Sequence, residues 1–389
     1  MQNENYKILI IHTNYMETGG EDIAVDNEIQ LLKENFITKE LIFSNKGKFL
    51  KNLLILLFLS NNYANKKIDK EIINFKPDIV YVHNTWFNTG LKIFEVIRKH
   101  NVKYYIKIHN FRYDCTNSYL YMKHFKDKSF CKSCGNEKTT FKFFNKYFTN
   151  SYIKSFFVNR YGKRYLNILQ KDTSNLLVLT EFHKKYLINN YQIESKRVNV
   201  FPNFLKPIVR KNLDSSQKKY ILYAGRISKE KGVDDLIEAF CNSSIENYDL
   251  YIVGAGPDLQ KLSNKFESDK IKFFGYQGNK KTLELINSSV AVVSNTKMFE
   301  GQPTLLCEAS LLAKPSIFPN NGGIEEFFPK EYDLVFEQGS ISNLTMILNN
   351  LESFNLSKIG LDNQRFLLEK LNKDKLIYNF EKILESHES

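Results

Sequence analysis

The chain has 389 residues, of which 42% are hydrophobic and 25% are charged, and its formal net charge at pH 7 is +12. That length exceeds what one hydrophobic core usually serves, so we expect two domains of a soluble globular protein. The longest apolar run, residues 53–59, is far shorter than the ~20 residues of a membrane-spanning helix. The polar start carries no signal-peptide pattern and the five cysteines are an odd number, so we expect a cytoplasmic protein.

The first half of the chain alternates apolar runs with helical patterns. Residues 7–12 predict a buried first strand, and the loop that follows ends in Gly19-Gly20 before a helix with apolar residues at helical spacing. Because strands that alternate with helices form parallel sheets, residues 1–205 predict a doubly wound domain. Its further strands are predicted at residues 40–43, 78–83, 104–109, 175–179 and 198–201.

The pattern restarts after residues 204–217, a polar, proline-containing segment that we interpret as the interdomain linker. Residues 218–371 predict a second domain, and we expect the last helix, about residues 372–389, to pack back on the first domain. The predicted fold class is α/β, with two doubly wound Rossmann-like domains facing across a cleft and ligands beyond the carboxyl ends of the strands. The second set of strands is predicted at residues 220–224, 249–253, 271–274, 290–294 and 315–319.

Residues 299–308, which read FEGQPTLLCE, follow a predicted strand and lead into a helix that we expect to end near residue 314. Pro303 suits the first helical turn, where its missing N–H costs nothing, and the free N–H groups of that turn favour an anion. Glu300 lies before the helix and Glu308 lies more than a turn inside it, so both can face one crevice. This arrangement suits a nucleotide-sugar; the alternative is a loop carboxylate and a solvated helix residue.

A glycine-basic loop, AGRISKEKG, follows the first strand of the second domain. Gly225 permits close backbone approach, Arg226 offers a planar fork of donors to phosphate oxygens, and Lys231 adds a point charge. Together they could neutralise a diphosphate without a metal; the alternative is an ordinary charged loop. Gly254 begins a Gly-Ala-Gly-Pro turn that lacks the third glycine of a dinucleotide fingerprint and favours approach to a base or ribose.

His109 ends a predicted strand of the first domain. A histidine at that place can donate to a hydroxyl or carbonyl, or it can be a satisfied structural residue. His12 and His83 have similar positions and carry less weight.

Three cysteines, Cys115, Cys131 and Cys134, fall within twenty residues of one another, and His124 lies between them. The last two have the C-x-x-C spacing of a zinc knuckle, so a structural zinc is one interpretation of half a motif. The alternative is a loop with reduced thiols.

Most of the net charge lies in residues 140–211, where 14 Lys and Arg stand against 3 Asp and Glu. Within it, residues 141–171 carry ten Phe and Tyr, seven Lys and Arg, and no acid. This composition favours an interfacial helix on anionic lipid. Nucleic acid bound by stacking, or a core helix with a solvated basic face, would produce the same composition.

These motifs together resemble the retaining glycosyltransferases of family 4, which have the GT-B fold. The resemblance depends on the E-x7-E pair of Glu300 and Glu308, the glycine-basic loop, the Gly-Ala-Gly-Pro turn, residues 321–325 and the N-terminal Gly-Gly-Glu of residues 19–21. It covers almost the whole chain and is most specific in the second half. The first half is similar to bacterial members that build surface polysaccharides.

The resemblance implies a role for each matching position. Arg226 and Lys231 would hold the donor diphosphate. Glu308 would bind the ribose hydroxyls, Glu300 would contact the donor sugar, and His109 would touch the transferred sugar. The other donor-binding positions implied are Gly19, Gly20, Gly225, Gly254, Gly301, Gln302, Pro303 and Thr304. Departures from the family pattern are Gln302, where an aromatic or hydrophobic residue is common, and Glu325-Glu326, where Pro-Glu is usual; both concern donor selectivity or local geometry.

The resemblance implies transfer of a sugar, with retention and without a required cofactor, from a nucleotide-sugar to a lipid-linked, polyprenyl-type glycan. The enzyme would sit on the inner, anionic face of the cell membrane and bind no nucleic acid. Two other interpretations stay open: a non-catalytic binder of polyanion or nucleic acid, which needs no Glu300 and Glu308 pair, and a nucleotide-sugar epimerase on the same fold, which needs no acceptor.

Overall fold

The protein is described from a computed structural model. The structure describes residues 6–15, 20–45, 49–116, 151–208 and 218–386, with the backbone alone at 49–53. It divides into two compact units: unit 1 comprises Met1–Leu205 and Lys373–Ser389, and unit 2 comprises Lys206–Asn372. No helix in these described ranges is both long enough and apolar enough to cross a membrane.

Among its described residues, unit 1 contains six strands. Their bounds are Lys7–Asn14 (β1), Ile37–Ser44 (β2), Ile79–Val82 (β3), Lys103–Ile108 (β4), Asn175–Val178 (β5) and Val198–Val200 (β6). They form one parallel sheet in the order β2-β1-β3-β4-β5-β6. Apolar, largely β-branched runs explain the central strands, because helices cover both faces of a parallel sheet; all four residues of β3 and the six inner residues of β1 are buried.

Helices connect the strands of unit 1, and side-chain caps begin three of them. Asn61 accepts the N–H groups of Tyr63 and Ala64 in the helix that follows it. Ser151 accepts the N–H of Lys154 at the start of one helix, and Thr180 accepts the N–H of His183 at the start of the next. The helices are Gly20–Lys33 (α1), Phe49–Phe58 (α2), Asn62–Phe75 (α3), Ile93–Lys99 (α4), Tyr152–Lys171 (α5) and Glu181–Tyr191 (α6).

The described part of unit 2 also contains six strands. They are Tyr220–Ala224 (β7), Asp249–Val253 (β8), Ile271–Phe273 (β9), Ala291–Val293 (β10), Ser316–Pro319 (β11) and Val335–Phe336 (β12), and the parallel sheet has the order β12-β11-β10-β7-β8-β9. The helices are Val233–Cys241 (α7), Leu259–Phe266 (α8), Asn279–Ser288 (α9), Thr304–Leu311 (α10), Ile341–Asn349 (α11) and Leu356–Lys370 (α12). Aliphatic residues of β7, β8 and α7 form the centre of its core.

The last helix, Lys373–Glu385 (α13), belongs to unit 1 although the chain reaches it after unit 2. Phe380 is fully buried, with its ring centroid 5.8 Å from that of Phe36, 5.7 Å from that of Tyr81 and 5.1 Å from that of Phe201. Burial of one such aromatic side chain stabilises a fold by about 2–3 kcal/mol. α13 is therefore part of the core of unit 1.

The two parallel sheets confirm the predicted fold class of two Rossmann-like domains, while several boundaries differ. The helix after Pro303 begins one residue later than predicted: Pro303 has φ −80° and ψ 88°, and its carbonyl accepts the N–H of Cys307. That helix ends at Leu311 instead of near residue 314, because Ala313 adopts a left-handed conformation with φ 53°. The two-residue strand β12 was not predicted.

Candidate functional site

The loops after β7 and β8 in unit 2 pack backbone against backbone. Gly254 has φ +142°, and a Cβ there would lie 1.8 Å from the carbonyl oxygen of Gly225. The N–H of Gly225 donates to Val253 at 2.9 Å, and that of Ile227 donates to Ala255 at 2.9 Å. Only glycine fits this close approach, so the packing of the two loops alone requires Gly254.

An ion pair joins the glycine-basic loop to the loop before α10. Lys231 Nζ lies 2.5 Å from Glu300 Oε1, and Thr296 Oγ1 donates to the same oxygen at 3.1 Å. Both side chains of the pair are about a quarter exposed. Arg226, by contrast, is 67% exposed, and its Nε lies 4.0 Å from Glu230 Oε1. Of the two residues predicted to bind the diphosphate, Lys231 is thus held in place, whereas Arg226 extends into solvent.

The segment after β11 fixes the loop that carries Glu300. Gly323 N–H donates to the carbonyl of Glu300 at 2.8 Å, and Gly322 has φ +66°, with a Cβ there lying 2.5 Å from that same oxygen. The Asn321 side chain donates to the carbonyl of Met298. The Asn-Gly-Gly motif therefore positions Glu300 through the backbone.

The predicted ribose ligand, Glu308, lies in α10 at the second turn. Burial raises the pKa of its carboxyl to about 7, and a hydrogen bond from Asn279 acts in the opposite direction. Just before the helix, Gly301, Gln302 and Pro303 are buried. The first N–H groups of any helix lack partners within it, so the half-buried start at Thr304 can meet an anion.

The carboxyl ends of β1, β3 and β4 in unit 1 bring three histidines together. His83 Nδ1 and His109 Nε2 lie 3.0 Å apart and share one hydrogen, and the two rings are stacked with an interplanar angle of 21°. His12 Nε2 lies 3.0 Å from Asp22 Oδ1. Burial lowers the pKa values of His83 and His109 well below their usual range, and the nearby Lys107 lowers both further.

Glu21, in the first turn of α1, faces this group. Its Oε2 accepts hydrogen bonds from Tyr15 Oη and from Asn110 Nδ2, each at 2.9 Å. Burial raises the pKa of this carboxyl, and the neighbouring His12 and Arg112 oppose that shift. Gly20 begins α1, whereas Gly19 lies outside the described residues.

A fully buried pair of charges lies beneath the histidines. Lys107 of β4 binds Glu28 of α1 with neither side chain exposed, and Tyr81 Oη donates to Glu28 at 2.5 Å. Sequence reasoning gave Glu21, Glu28 and Lys107 no role and gave His83 little weight. The available signal was position: β3 and β4 are neighbouring parallel strands, His83 directly follows β3, and Lys107 lies near the carboxyl end of β4.

Only one of the predicted zinc ligands lies among the residues that the structure describes. Cys115 is buried, at 2% exposure, while Cys131, Cys134 and His124 lie outside those residues. In the part of the chain that the structure describes, no cluster of three or more His, Cys, Asp or Glu side chains is arranged to hold a metal ion. The zinc knuckle stays a prediction.

Helices α2 and α5 contact each other and share an outward apolar surface, which we call the α2–α5 face. Arg160 of α5 donates to the carbonyl of Leu57 in α2, while Tyr161 and Tyr165 of α5 point into unit 1. Cations flank the surface, with Lys163 and Arg164 exposed. The face comprises Leu54, Leu57, Phe58, Tyr152, Ile153 and Phe156, which are 38–65% exposed.

Comparison with known proteins identifies unit 2 by sequence. Residues 206–358, which include every strand from β7 to β12, match the family described as glycosyl transferases group 1. The amylovoran biosynthesis glycosyltransferase AmsD of Erwinia amylovora is 27% identical over 148 residues, which is 36% of this chain and 42% of AmsD. The match thus spans less than half of that relative.

Solved structures match the whole chain in fold. HepE of Anabaena, solved with UDP and glucose, has a TM-score of 0.69 at 14% identity and covers 98% of this chain and 100% of its own. Sucrose-phosphate synthase of Thermosynechococcus elongatus has a TM-score of 0.69 at 12% identity, with 98% of both chains covered. The lipopolysaccharide galactosyltransferase WaaB has a TM-score of 0.62 at 16% identity, and the match covers 98% of this chain and 99% of WaaB. Unit 2 therefore matches the group 1 glycosyltransferase family over residues 206–358, and the chain has the GT-B fold of two Rossmann-like domains.

Proposed function

We propose that this chain is a retaining, metal-independent hexosyltransferase that moves a sugar from a nucleotide-sugar to a polyprenyl-linked glycan in surface polysaccharide synthesis. Unit 2 binds the donor and unit 1 binds the acceptor. The family of unit 2 supports the reaction class, and AmsD, named for amylovoran biosynthesis, supports the polysaccharide. HepE was solved with UDP-glucose, which supports a nucleotide-sugar as the donor.

The ion pair of Lys231 with Glu300 carries the proposal. Breaking the bond from the anomeric carbon to the diphosphate leaves negative charge on the departing oxygen. Lys231 is already fixed by Glu300 and Thr296, so little reorganisation is needed when that charge develops, and Arg226 is free to fold over the diphosphate. Electrostatic stabilisation by such preorganised donors is commonly the largest part of a rate enhancement.

The remaining donor contacts follow from the loop before α10. Glu308 accepts hydrogen bonds from the ribose hydroxyls, and Glu300 contacts the sugar through the carboxylate oxygen that Lys231 does not hold. Backbone N–H groups of Gly301, Gln302 and Thr304 face the phosphates, and Gly225 permits close backbone approach. His109 touches the transferred sugar.

Retention is proposed to occur in one step, by attack of the acceptor hydroxyl on the face that the diphosphate leaves. A double displacement would need a carboxylate nucleophile, whereas Glu300 is assigned to binding the sugar, and its pairing with Lys231 and Thr296 makes it a weaker nucleophile. Two protein cations supply the charge that a metal would otherwise supply. The anomeric configuration of the product, measured by NMR, tests retention, and a covalent glycosyl-enzyme detected by mass spectrometry would contradict the one-step path.

The α2–α5 face is proposed to hold the enzyme on the inner, anionic face of the cell membrane. Its aliphatic members, Leu54, Leu57 and Ile153, favour lipid over nucleic acid, because bases stack on aromatic rings and gain little from aliphatic side chains. The flanking cations would each add roughly 1 kcal/mol near anionic lipid. A polyprenyl-linked acceptor presents its glycan at that same surface.

A panel of nucleotide-sugars tested by thermal unfolding would identify the donor, because a ligand of the native state raises the unfolding temperature. With that donor, Lys231→Ala and Arg226→Ala should each lower turnover roughly 100-fold or more, since one lost transition-state donor costs about 3 kcal/mol. Lys229→Ala is the matched control, an exposed lysine of the same turn. Near-normal transfer by Lys231→Ala would contradict the assignment.

A further inference from the structure

A cavity lies in unit 1 at the amino ends of β4 and β5, at the edge of the sheet opposite to His109. It has a volume of about 530 Å3, within the range of roughly 300–1,000 Å3 that is usual for small-molecule sites. β4 begins at the cavity and ends just before His109, so roughly 20 Å of strand separates the cavity from the histidines. The polar residues of its lining are Arg98, Asn101, Lys103, Tyr104, Thr173 and Asn175.

Two side chains of this lining are cations, and none of the described lining residues is a carboxylate. Arg98, in the last turn of α4, is 42% exposed, and its Nη1 binds the carboxylate of Asp172 just outside the lining. A guanidinium has five N–H donors, so most of them remain for a ligand after this ion pair. Lys103 Nζ donates to the carbonyl of Leu384 at 3.3 Å, and this contact holds the ammonium group beside the cavity.

The turn between α5 and β5, which forms the wall behind Arg98, is tied down by its own hydrogen bonds. Asp172 Oδ1 accepts the N–H of Thr173 at 2.8 Å, and Arg197 Nη2 donates to the carbonyl of Ser174 at 3.0 Å. Asp172 also attracts Arg197 electrostatically, whereas Glu194 beside it is 63% exposed and is balanced by its own lysine at 3.0 Å. Together with the two cations of the lining, Arg197 makes three positive charges around one buried carboxylate.

The other lining groups are neutral and polar. Tyr104 is 4% exposed; burial raises the pKa of its phenol and the neighbouring Asp172 raises it further, so it stays a neutral hydroxyl. Its ring packs inward, with its centroid 6.1 Å from that of Phe94, and it is the one aromatic residue of the described lining. Because bases bind by stacking on exposed rings, this lining suits a ligand with hydroxyl groups better than a nucleotide.

The charge of the site points to the anion that it fits. A phosphate monoester carries about −1.5 to −2 at pH 7, which balances the excess of two positive charges, whereas a carboxylate carries a single charge. We propose that this cavity binds a small phosphate ester that also carries hydroxyl groups, a sugar or polyol phosphate. Arg98 and Lys103 hold the phosphate, and the amide and hydroxyl groups of Asn175 and Thr173 meet the hydroxyls. The inference does not depend on the proposed function, since no residue of the cavity belongs to the donor site or to the histidine group.

Isothermal titration calorimetry on the full chain tests the cavity without any turnover. The probes are glucose 6-phosphate, glucose 1-phosphate and glycerol 3-phosphate, compared with methyl phosphate, inorganic phosphate and glucose. At least one of the three esters should bind 10-fold or more tightly than each comparison ligand. Lys103→Gln, which removes a charge, and Arg98→Lys, which removes the planar fork but keeps a cation beside Asp172, should each weaken that binding at least 10-fold. The control Lys99→Gln, at a 74% exposed lysine of the same helical turn, should bind like the wild type.

Lys231→Ala separates this cavity from the donor site of unit 2, where a phosphate can also bind. Ester binding that persists in Lys231→Ala and is lost in Lys103→Gln, with the unfolding temperature of the latter within a few degrees of the wild type, supports the inference. Binding lost in Lys231→Ala and unchanged in Lys103→Gln would place the ligand in the donor site and overturn it. The absence of binding by all three esters, or equal binding of methyl phosphate, would overturn it as well.

Discussion

Replacing Glu308 with glutamine should make the ligand-free protein more stable at alkaline pH and at the same time weaken nucleotide binding. Burial raises the pKa of this carboxyl to about 7 from a reference of 4.5. A group whose pKa is raised in the folded state gives stability that is fully present below about pH 4.5 and is lost as the pH rises through about 7. The difference of 2.5 units corresponds to about 3 kcal/mol at pH 8.

Urea unfolding at pH 5 and pH 8 measures this effect. Glu308→Gln should be more stable than the wild type by up to about 3 kcal/mol at pH 8 and nearly equal to it at pH 5, because the amide needs no proton. The control is Glu238→Gln, an exposed carboxylate of α7 in the same unit. The reasoning is contradicted if the variant is no more stable than the wild type at pH 8, or if it is more stable by the same amount at both pH values. Either result would show that burial of the ionised carboxylate does not destabilise the wild type.

Titration with UDP then tests whether the buried, destabilising carboxylate of Glu308 binds the nucleotide. Hydrogen bonds to a charged partner contribute about 1.5–3 kcal/mol each, so loss of the carboxylate should weaken UDP binding roughly 10- to 100-fold at pH 8. For the wild type, UDP affinity should fall as the pH drops below about 7, where the carboxyl becomes protonated. Unchanged affinity in the variant would remove Glu308 from the ribose site.

Three further outcomes follow from the proposals. Transfer should persist in EDTA, because Arg226 and Lys231 supply the charge; loss of activity without a change in unfolding temperature would contradict this. If the cysteines hold zinc, the freshly purified protein should contain about one zinc per chain, lost when Cys131 and Cys134 are both changed to Ser; metal analysis showing none would favour reduced thiols. The protein should sediment with liposomes containing phosphatidylglycerol, less at high salt and little with neutral lipid. Release from the liposomes is expected when four cations of α5 are changed to Gln: Lys154, Arg160, Lys163 and Arg164. The control variant carries the same change at four lysines of unit 2, Lys261, Lys265, Lys280 and Lys281, and should stay bound. Equal binding by both variants would exclude the α2–α5 face as the membrane contact.

The fold could be predicted because most strands carry their own signal in the sequence. β7 and β8 have the predicted bounds, since each is a short, largely apolar run that ends at a glycine, Gly225 or Gly254. β12 has only two residues, too few to show a period. The end of α10 depends on a left-handed Ala313, a conformation that its sequence does not favour.

Site residues could be predicted from sequence where their position in a loop marks them. They were harder to predict where their role depends on a contact with a residue far away in the sequence. Glu300 and Lys231 were assigned separately, 69 positions apart, and only the structure shows them bound to each other. Lys107 looked like a polar position in a strand, but its charge is buried against Glu28 of α1. Residues 53–59 were judged only too short to span a membrane; that Leu54, Leu57 and Phe58 remain exposed beside α5 depends on packing.

The polar sites at the strand ends of the two units differ in whether their charged side chains are exposed. This difference suggests a different role for each unit. Unit 2 presents Lys231 and Glu300 as a partly exposed ion pair, which a diphosphate can enter by taking over the cation. Unit 1 keeps its full charges, Lys107 and Glu28, out of solvent and presents neutral imidazoles above them. Since buried unpaired charges are expensive, these imidazoles and the already paired Lys107 suit hydroxyl groups better than phosphate. Under the proposed function, unit 2 would therefore stabilise the charge that develops when the donor is cleaved, and unit 1 would meet the uncharged sugar.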